Sequence, residues 1–256
     1  LTNLYWRQRF NDGTLVGGYL DVTDYVDTFG GGSPWTGFIN LVFGTGSASM
    51  FLPNDATLGV AAGGMLTENM YVVGGITNAY ADAADPFDDS FDRLFNNSEH
   101  FMTLELGWTG SQERIFLDNT HVTLWRVDDS VNAGAQEGWG AAFSHVRYLD
   151  EKWMPFVRGG YAKDGGSLLE KSLSVGILRQ QNPGADLFGV GLNWGQPNET
   201  TFGPGLDEQY TVEAFYRIPV TQQFAITPSV EYIKNPALNQ ADDSVWVFGV
   251  RARLAL

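Results

Sequence analysis

Arginines and carboxylates recur in this chain at even spacings inside otherwise apolar runs. Arg7 and Arg9, Glu213 and Arg217, and Arg251 and Arg253 show the pattern, and Glu105, Arg158 and Glu231 sit in similar company. Side chains two or four apart on a strand share a face. From one face they can offer hydrogen bonds and a fixed field to a passing solute, with no covalent step. Trp35, Phe38 and Asn40 lie in a glycine-containing stretch and add aromatic faces and an amide. Covalent chemistry has little to work with. Cysteine is absent and the only histidines are His100, His121 and His145, each on a different inferred strand. A nucleophile needs a base beside it, and no Gly-x-Ser-x-Gly turn occurs. His121 and His145 could approach one another, but the commoner role is that of strand-end interface residues. The run Asp82, Asp85, Asp88, Asp89 and Asp92 could gather oxygens around Ca²⁺, yet it lacks an EF-hand spacing and reads as a solvated acidic loop. No enzyme activity, metal or cofactor is expected. A net charge of -15 argues against nucleic acid as a partner.

These residues must be held by strands. Trp246, Phe248, Val250, Ala252, Leu254 and Leu256 alternate with Gly249, Arg251 and Arg253. Met102, Leu104, Leu106 and Trp108 likewise oppose Thr103, Glu105 and Gly107, and Val212, Ala214, Tyr216 and Ile218 oppose Thr211, Glu213 and Arg217. Alternating stretches of about 10 residues are the signature of a transmembrane β-strand. In a soluble sandwich the apolar face would be the core. Two features favour a barrel instead: aromatics recur near strand ends (Trp6, Trp108, Trp139, Trp153, Trp194 and Trp246), and the opposite face carries Arg, Glu, Gly and Ser. No apolar run reaches the roughly 18 residues of a membrane helix.

The connections alternate in length. Short turns fall at 11–13, 67–68, 150–152, 182–184 and 221–222, with 110–118 somewhat longer. Between them lie polar links at 22–56, 81–99, 128–137, 163–169, 196–209 and 236–243. This is the outer-membrane pattern of periplasmic turns and external loops. About 13 strands result, an odd number, with the first and last running the same way. A barrel with both termini in the periplasm starts with the opposite direction, so an odd number of strands is expected ahead of Leu1. The 22–56 link is far longer than a connection requires. It is expected to fold inward and narrow the lumen.

The runs Gly138-Trp139-Gly140, Pro155-Phe156-Val157-Arg158-Gly159-Gly160, Gly189-Val190-Gly191-Leu192-Asn193-Trp194-Gly195, Gln209-Tyr210-Thr211-Val212-Glu213-Ala214-Phe215-Tyr216-Arg217, Ile226-Thr227-Pro228, Asn235-Pro236-Ala237 and Trp246-Val247-Phe248-Gly249-Val250-Arg251-Ala252-Arg253 occur in order. Together they resemble the carbohydrate-selective outer-membrane porins of the OprB family. Arg9-Phe10-Asn11-Asp12-Gly13 and Tyr71-Val72-Val73-Gly74-Gly75 extend the likeness more thinly toward the N-terminus.

The resemblance implies an all-β fold, a transmembrane antiparallel β-barrel of 16 strands in the complete protein, with about 13 of them here in a single domain over residues 1–256. It implies passive uptake of mono- and oligosaccharides in the bacterial outer membrane, in contact with lipid and lipopolysaccharide, with a homotrimer as one assembly open to it. A general small-solute or anion-preferring porin is the alternative. On this reading the lumen is lined by Arg7, Arg9, Trp35, Phe38, Asn40, Glu105, Arg158, Glu213, Arg217, Glu231, Arg251 and Arg253. Aromatic faces would stack on sugar rings and Asn40 would pair with hydroxyls. For any one arginine, an ion pair with Glu105, Glu213 or Glu231 is the competing role.

Overall fold

The computed structural model describes residues 3–82, 84–87, 89–180 and 186–255. Thirteen strands follow in order: β1 (Leu4–Arg9), β2 (Gly13–Leu20), β3 (Thr57–Met65), β4 (Met70–Asn78), β5 (His100–Thr109), β6 (Asn119–Val127), β7 (Gly138–Val146), β8 (Trp153–Asp164), β9 (Leu169–Arg179), β10 (Leu187–Pro197), β11 (Gln209–Pro219), β12 (Phe224–Lys234) and β13 (Ser244–Leu254). Each pairs antiparallel with its sequence neighbours in one sheet, and β1 and β13 are its free edges among the described residues. The helices are brief: α1 (Ser90–Phe95) in the 79–99 link and α2 (Glu199–Phe202) after β10. Among the described residues no helix is long and apolar enough to cross a membrane.

The alternation sorts the two faces as the sequence pattern predicts. Leu104, Leu106, Val122, Leu124, Val212, Trp246, Phe248 and Val250 are exposed on the outer face. Their neighbours Glu105, His121, Thr123, Thr211 and Glu213 are buried on the inner one. Aromatics mark both rims. Trp139, Trp194 and Trp246 stand at strand ends beside the long links, and Trp108 and Trp153 at ends beside short turns. Arg147 lies over the Trp108 ring at 5.2 Å and Arg179 over Trp153 at 5.9 Å, so cations cap the short-turn belt. The turn between β7 and β8 is tight because Asp150 and Glu151 both adopt positive φ, 51° and 50°, which matches the twist of paired strands.

Three long links differ from the sequence reading by two or more residues, and the 81–99 link opens at residue 79 because β4 ends at Asn78. The 163–169 link shrinks to residues 165–168, because Gly165 and Gly166 take positive φ (72° and 69°) and let β8 continue to Asp164. Similarly, β10 continues to Pro197, shortening the 196–209 link. The turn at 182–184, Asp88 and Leu256 lie outside the described residues.

The core is not within the sheet but between the sheet and the 22–56 loop. Phe29, Phe38, Val42 and Phe43 of the loop pack with Val146, Met154, Phe156, Leu169, Leu178, Leu187 and Phe215 of the wall. Val22, Val26, Met50 and Phe51 pack with Phe101, Trp125, Val127, Ala142 and Ala162. Phe38 meets Phe215 edge-on at 5.0 Å and Phe156 at 5.6 Å. Each such ring contributes about 1.5–3 kcal/mol by leaving water. Two wall glycines permit the approach: a Cβ on Gly191 would lie 2.5 Å from the Phe43 ring, and one on Gly160 would lie 2.2 Å from Ser49 Oγ. The loop therefore folds inward, as its length suggested.

Candidate constriction site

The loop is fixed to the wall at two places. At its neck, Asp27 turns with φ 48°, a left-handed conformation that aspartate tolerates. Its carboxylate gathers donors from three elements. Arg158 Nη2 of β8 donates to Oδ2 at 2.6 Å, the Gly46 amide of the returning limb donates to Oδ2 at 2.5 Å, and His121 Nε2 of β6 donates to Oδ1 at 2.7 Å. Arg158 also donates to Ser144 Oγ at 2.7 Å and to the Gly44 carbonyl at 3.0 Å, and stacks on Phe29 at 4.1 Å. The Asp27 amide donates to Glu105 Oε2 at 2.7 Å, and Glu105 further accepts from Thr123 at 2.8 Å and Tyr71 at 2.9 Å.

The His121 ring is held from both sides. Asn119 commits its amide nitrogen to the Ile115 carbonyl at 2.9 Å, so its Oδ1 faces His121 Nδ1 at 2.6 Å and accepts from it. Asp27 thus meets the Arg158 guanidinium and the His121 ring, with Glu105 Oε2 3.9 Å from His121 Nε2, all of them buried. Burial alone would raise the Asp27 pKa, but Arg158 first, then His121 and the Gly46 amide, outweigh it and hold the carboxyl below its usual range.

At its tip the loop meets β11, β12 and β13. Glu213 accepts from the Ile39 amide at 2.8 Å and the Asn40 amide at 2.9 Å. The Asn40 side chain donates to Glu231 at 2.8 Å and accepts from the Val42 amide at 3.2 Å. Arg251 donates to the carbonyls of Pro34 and Gly37, the latter at 2.7 Å. Glu213 and Glu231 sit directly opposite across the strands, a like-charge placement that costs stability unless donors such as these offset it.

Between neck and tip lies a cavity of about 530 Å³, bordered by Asp21, Asp24, Thr28, Ser33, Trp35, Thr36 and Phe116. Trp35 is 75% exposed beside it. Arg7 and Arg9 share the inner face of β1, opposite Val16 and Thr14 of β2. Arg253 projects from the same face of β13 as Arg251 and is exposed, and Arg217 is half-buried on β11.

Several expected lining residues are otherwise engaged. Phe38 is 1% exposed, because three aromatic rings enclose it, so it does not present a face to solute. Asn40 spends its amide on Glu231 and on the turn it caps. Arg158, Glu105 and Glu213 point inward but lie beneath the loop, and Glu231 is nearly covered. The alternation fixed their face and could not reveal that the loop would cover it. His121 is likewise no strand-end interface residue. It lies near the start of β6 but faces inward, while His145 faces outward and bonds Thr120 Oγ1 at 2.7 Å, so the two rings occupy opposite faces of the wall. Sequence reasoning missed Asp27 altogether, along with Tyr71 and Asn119. The one available signal was an aspartate inside the apolar start of the long loop.

A family model described as carbohydrate-selective porin, OprB family, matches residues 128–256, half of the chain. The chain belongs to that family. Solved structures agree on the fold. The high-pH structure of Pseudomonas putida OprB superimposes with a TM-score of 0.74 at 15% identity, covering 99% of this chain and 72% of that one. Its low-pH structure gives 0.58 at 13%, covering 99% and 66%. A mutant of the Rh. blastica porin gives 0.54 at 12%, covering 97% and 75%. No curated protein matches the sequence. The porin is thus a membrane protein that spans with strands and serves as a sugar channel, and the general-porin alternative is not favoured.

Proposed function

We propose that this chain forms most of the wall and the constriction of an outer-membrane pore through which mono- and short oligosaccharides diffuse down their gradients. The observation that carries the reading is the 22–56 loop seated against the buried face of the sheet, with exposed Trp35 beside a cavity bordered by Asp21, Asp24 and Ser33. A sugar entering a narrow section loses hydrogen bonds to water, and the wall must return them. Arg7, Arg9, Arg217 and Arg253, with Arg251 at the loop tip, supply donors. Trp35 covers the apolar side of the ring, and Asp21, Asp24 and Ser33 accept from hydroxyls. Binding must stay weak, because a tightly held sugar would block the path.

The free edges of β1 and β13 require partners in a membrane. Three further strands would complete the family's 16-stranded barrel around one domain. The exposed apolar outer face and the two aromatic belts suit contact with outer-membrane lipid and lipopolysaccharide, and chemical crosslinking in intact membranes would show whether a homotrimer covers part of that face. The test of function is swelling of liposomes holding the complete protein, in isotonic sugars and salts. Monosaccharides should enter faster than ions or amino acids of similar size. Equal rates would leave a general porin, and no entry would end the pore reading.

A further inference from the structure

Two paired side chains close the neck of the loop: the Asp27 carboxylate, and Arg158, which donates to carbonyls on both limbs, Asp27 at 3.3 Å and Gly44 at 3.0 Å. Asp27 and Gly46 are brought to the same point by the Asp27 carboxylate, which also joins them to β6 through His121 and to β8 through Arg158. Residues 28–45, including Trp35 and the cavity beside it, form a ring closed at that point and held to the wall again at the tip. Backbone turns on both limbs converge there, since Asp27, Gly46, Ser47 and Ala48 all have positive φ. The aromatic contacts farther along the loop are numerous but non-directional. They draw the ring onto the wall without setting where its neck stands.

We infer that Asp27 is the positioning residue of the constriction: by tying both limbs of the loop to Arg158 and His121 it sets the bore, and so the largest sugar that passes. The inference rests on the pore reading above. Asp27 lies beneath the surface and touches no solute itself. Its effect reaches the permeant through the placement of the ring. Closing a ring of this length restricts the conformations of the segment within it. Opening the neck would leave the 28–37 stretch held by Arg251, by the Gly30 amide's bond to the Phe116 carbonyl at 2.7 Å and by the non-directional packing of Phe29.

Asp27→Asn is the informative change. Asparagine keeps the size and the tolerance of positive φ, but it removes the charge and turns an amide toward the Arg158 and His121 donors. The chain has no cysteine, so a pair introduced by Ser49→Cys and Gly160→Cys can pin the returning limb to β8 at a point where the two already meet. Liposomes carrying the complete protein would be assayed with a monosaccharide and a disaccharide, alongside single-channel conductance. The expected result is a several-fold rise in the disaccharide-to-monosaccharide ratio and in conductance for Asp27→Asn, returning toward the unsubstituted protein's values when the added disulfide is oxidised and rising again on reduction. If Asp27→Asn alone fails to assemble, the crosslinked form is assembled oxidised and then reduced in the membrane, and the same rise is expected. An unchanged ratio in the assembled or reduced variant would overturn the inference, as would a disulfide that leaves a widened pore unrestored. Failure of the unsubstituted protein to pass sugars would instead count against the pore reading.

Discussion

The neck and the tip hold the same loop by different means. At the neck, Asp27 and Glu105 meet Arg158 and His121, every member is buried, and the donors come from strands far apart in sequence. At the tip, two glutamates face each other across a strand pair, and the balance rests on loop amides and one half-buried arginine. A matched, desolvated network defines one arrangement, because each unpaired member would be costly. An acid-rich site that borrows its donors from the loop backbone can lose a bond and keep its neighbours. On the proposed reading the neck sets the position of the constriction, and the tip adjusts it.

That contrast is open to measurement. Arg158→Ala should give the largest effect, about 3–5 kcal/mol of lost stability, because it strands a buried carboxylate. Urea unfolding of the reconstituted barrel would register it, and a loss below about 1 kcal/mol would remove the distinction between the two anchors. Glu213→Gln should cost less, at most about 1.5–3 kcal/mol, since Oε1 can still accept from Ile39 while the amide nitrogen faces the Asn40 N–H, and relief of the like-charge pair with Glu231 offsets part of the loss. A tip variant more damaging than the neck variant would reverse the ranking.

Acid offers a smaller, graded probe. The Asp27 carboxyl lies below its usual range in the fold, with Arg158 the main favourable cause against burial. A group of lowered pKa contributes stability that is complete above its unfolded value, about 3.9 for aspartate, and disappears as pH falls through the folded value. The stability gap between the unsubstituted protein and Asp27→Asn should accordingly stay level through neutral and mildly acid pH and narrow only in stronger acid. A gap that closes near pH 6 would place the ionisation elsewhere, where histidines titrate.

The sequence made the two faces of the wall legible, since the period of two in β5, β11 and β13 needs no distant partner to be read. Arg158, Arg251 and Glu213 were therefore assigned to the correct face. What covers them was not legible. Asp27 is 131 residues from Arg158, and no local pattern couples the two. Phe38 illustrates the same limit: an aromatic residue in a loop without periodicity serves equally well as a stacking surface or as core, and only the wall glycines and rings around it decide. The strand end at Asp164 was misplaced for a local reason, as Gly165 and Gly166 read as loop composition although they build a tight turn.

The central claim is that the 22–56 loop is the constriction of a sugar pore. Single-channel recording of the complete protein, compared with a variant whose residues 28–45 are replaced by a short glycine-serine link, tests it most directly. A several-fold higher conductance, with discrimination between sugars and salts lost, is the predicted result, and an unchanged conductance would contradict it.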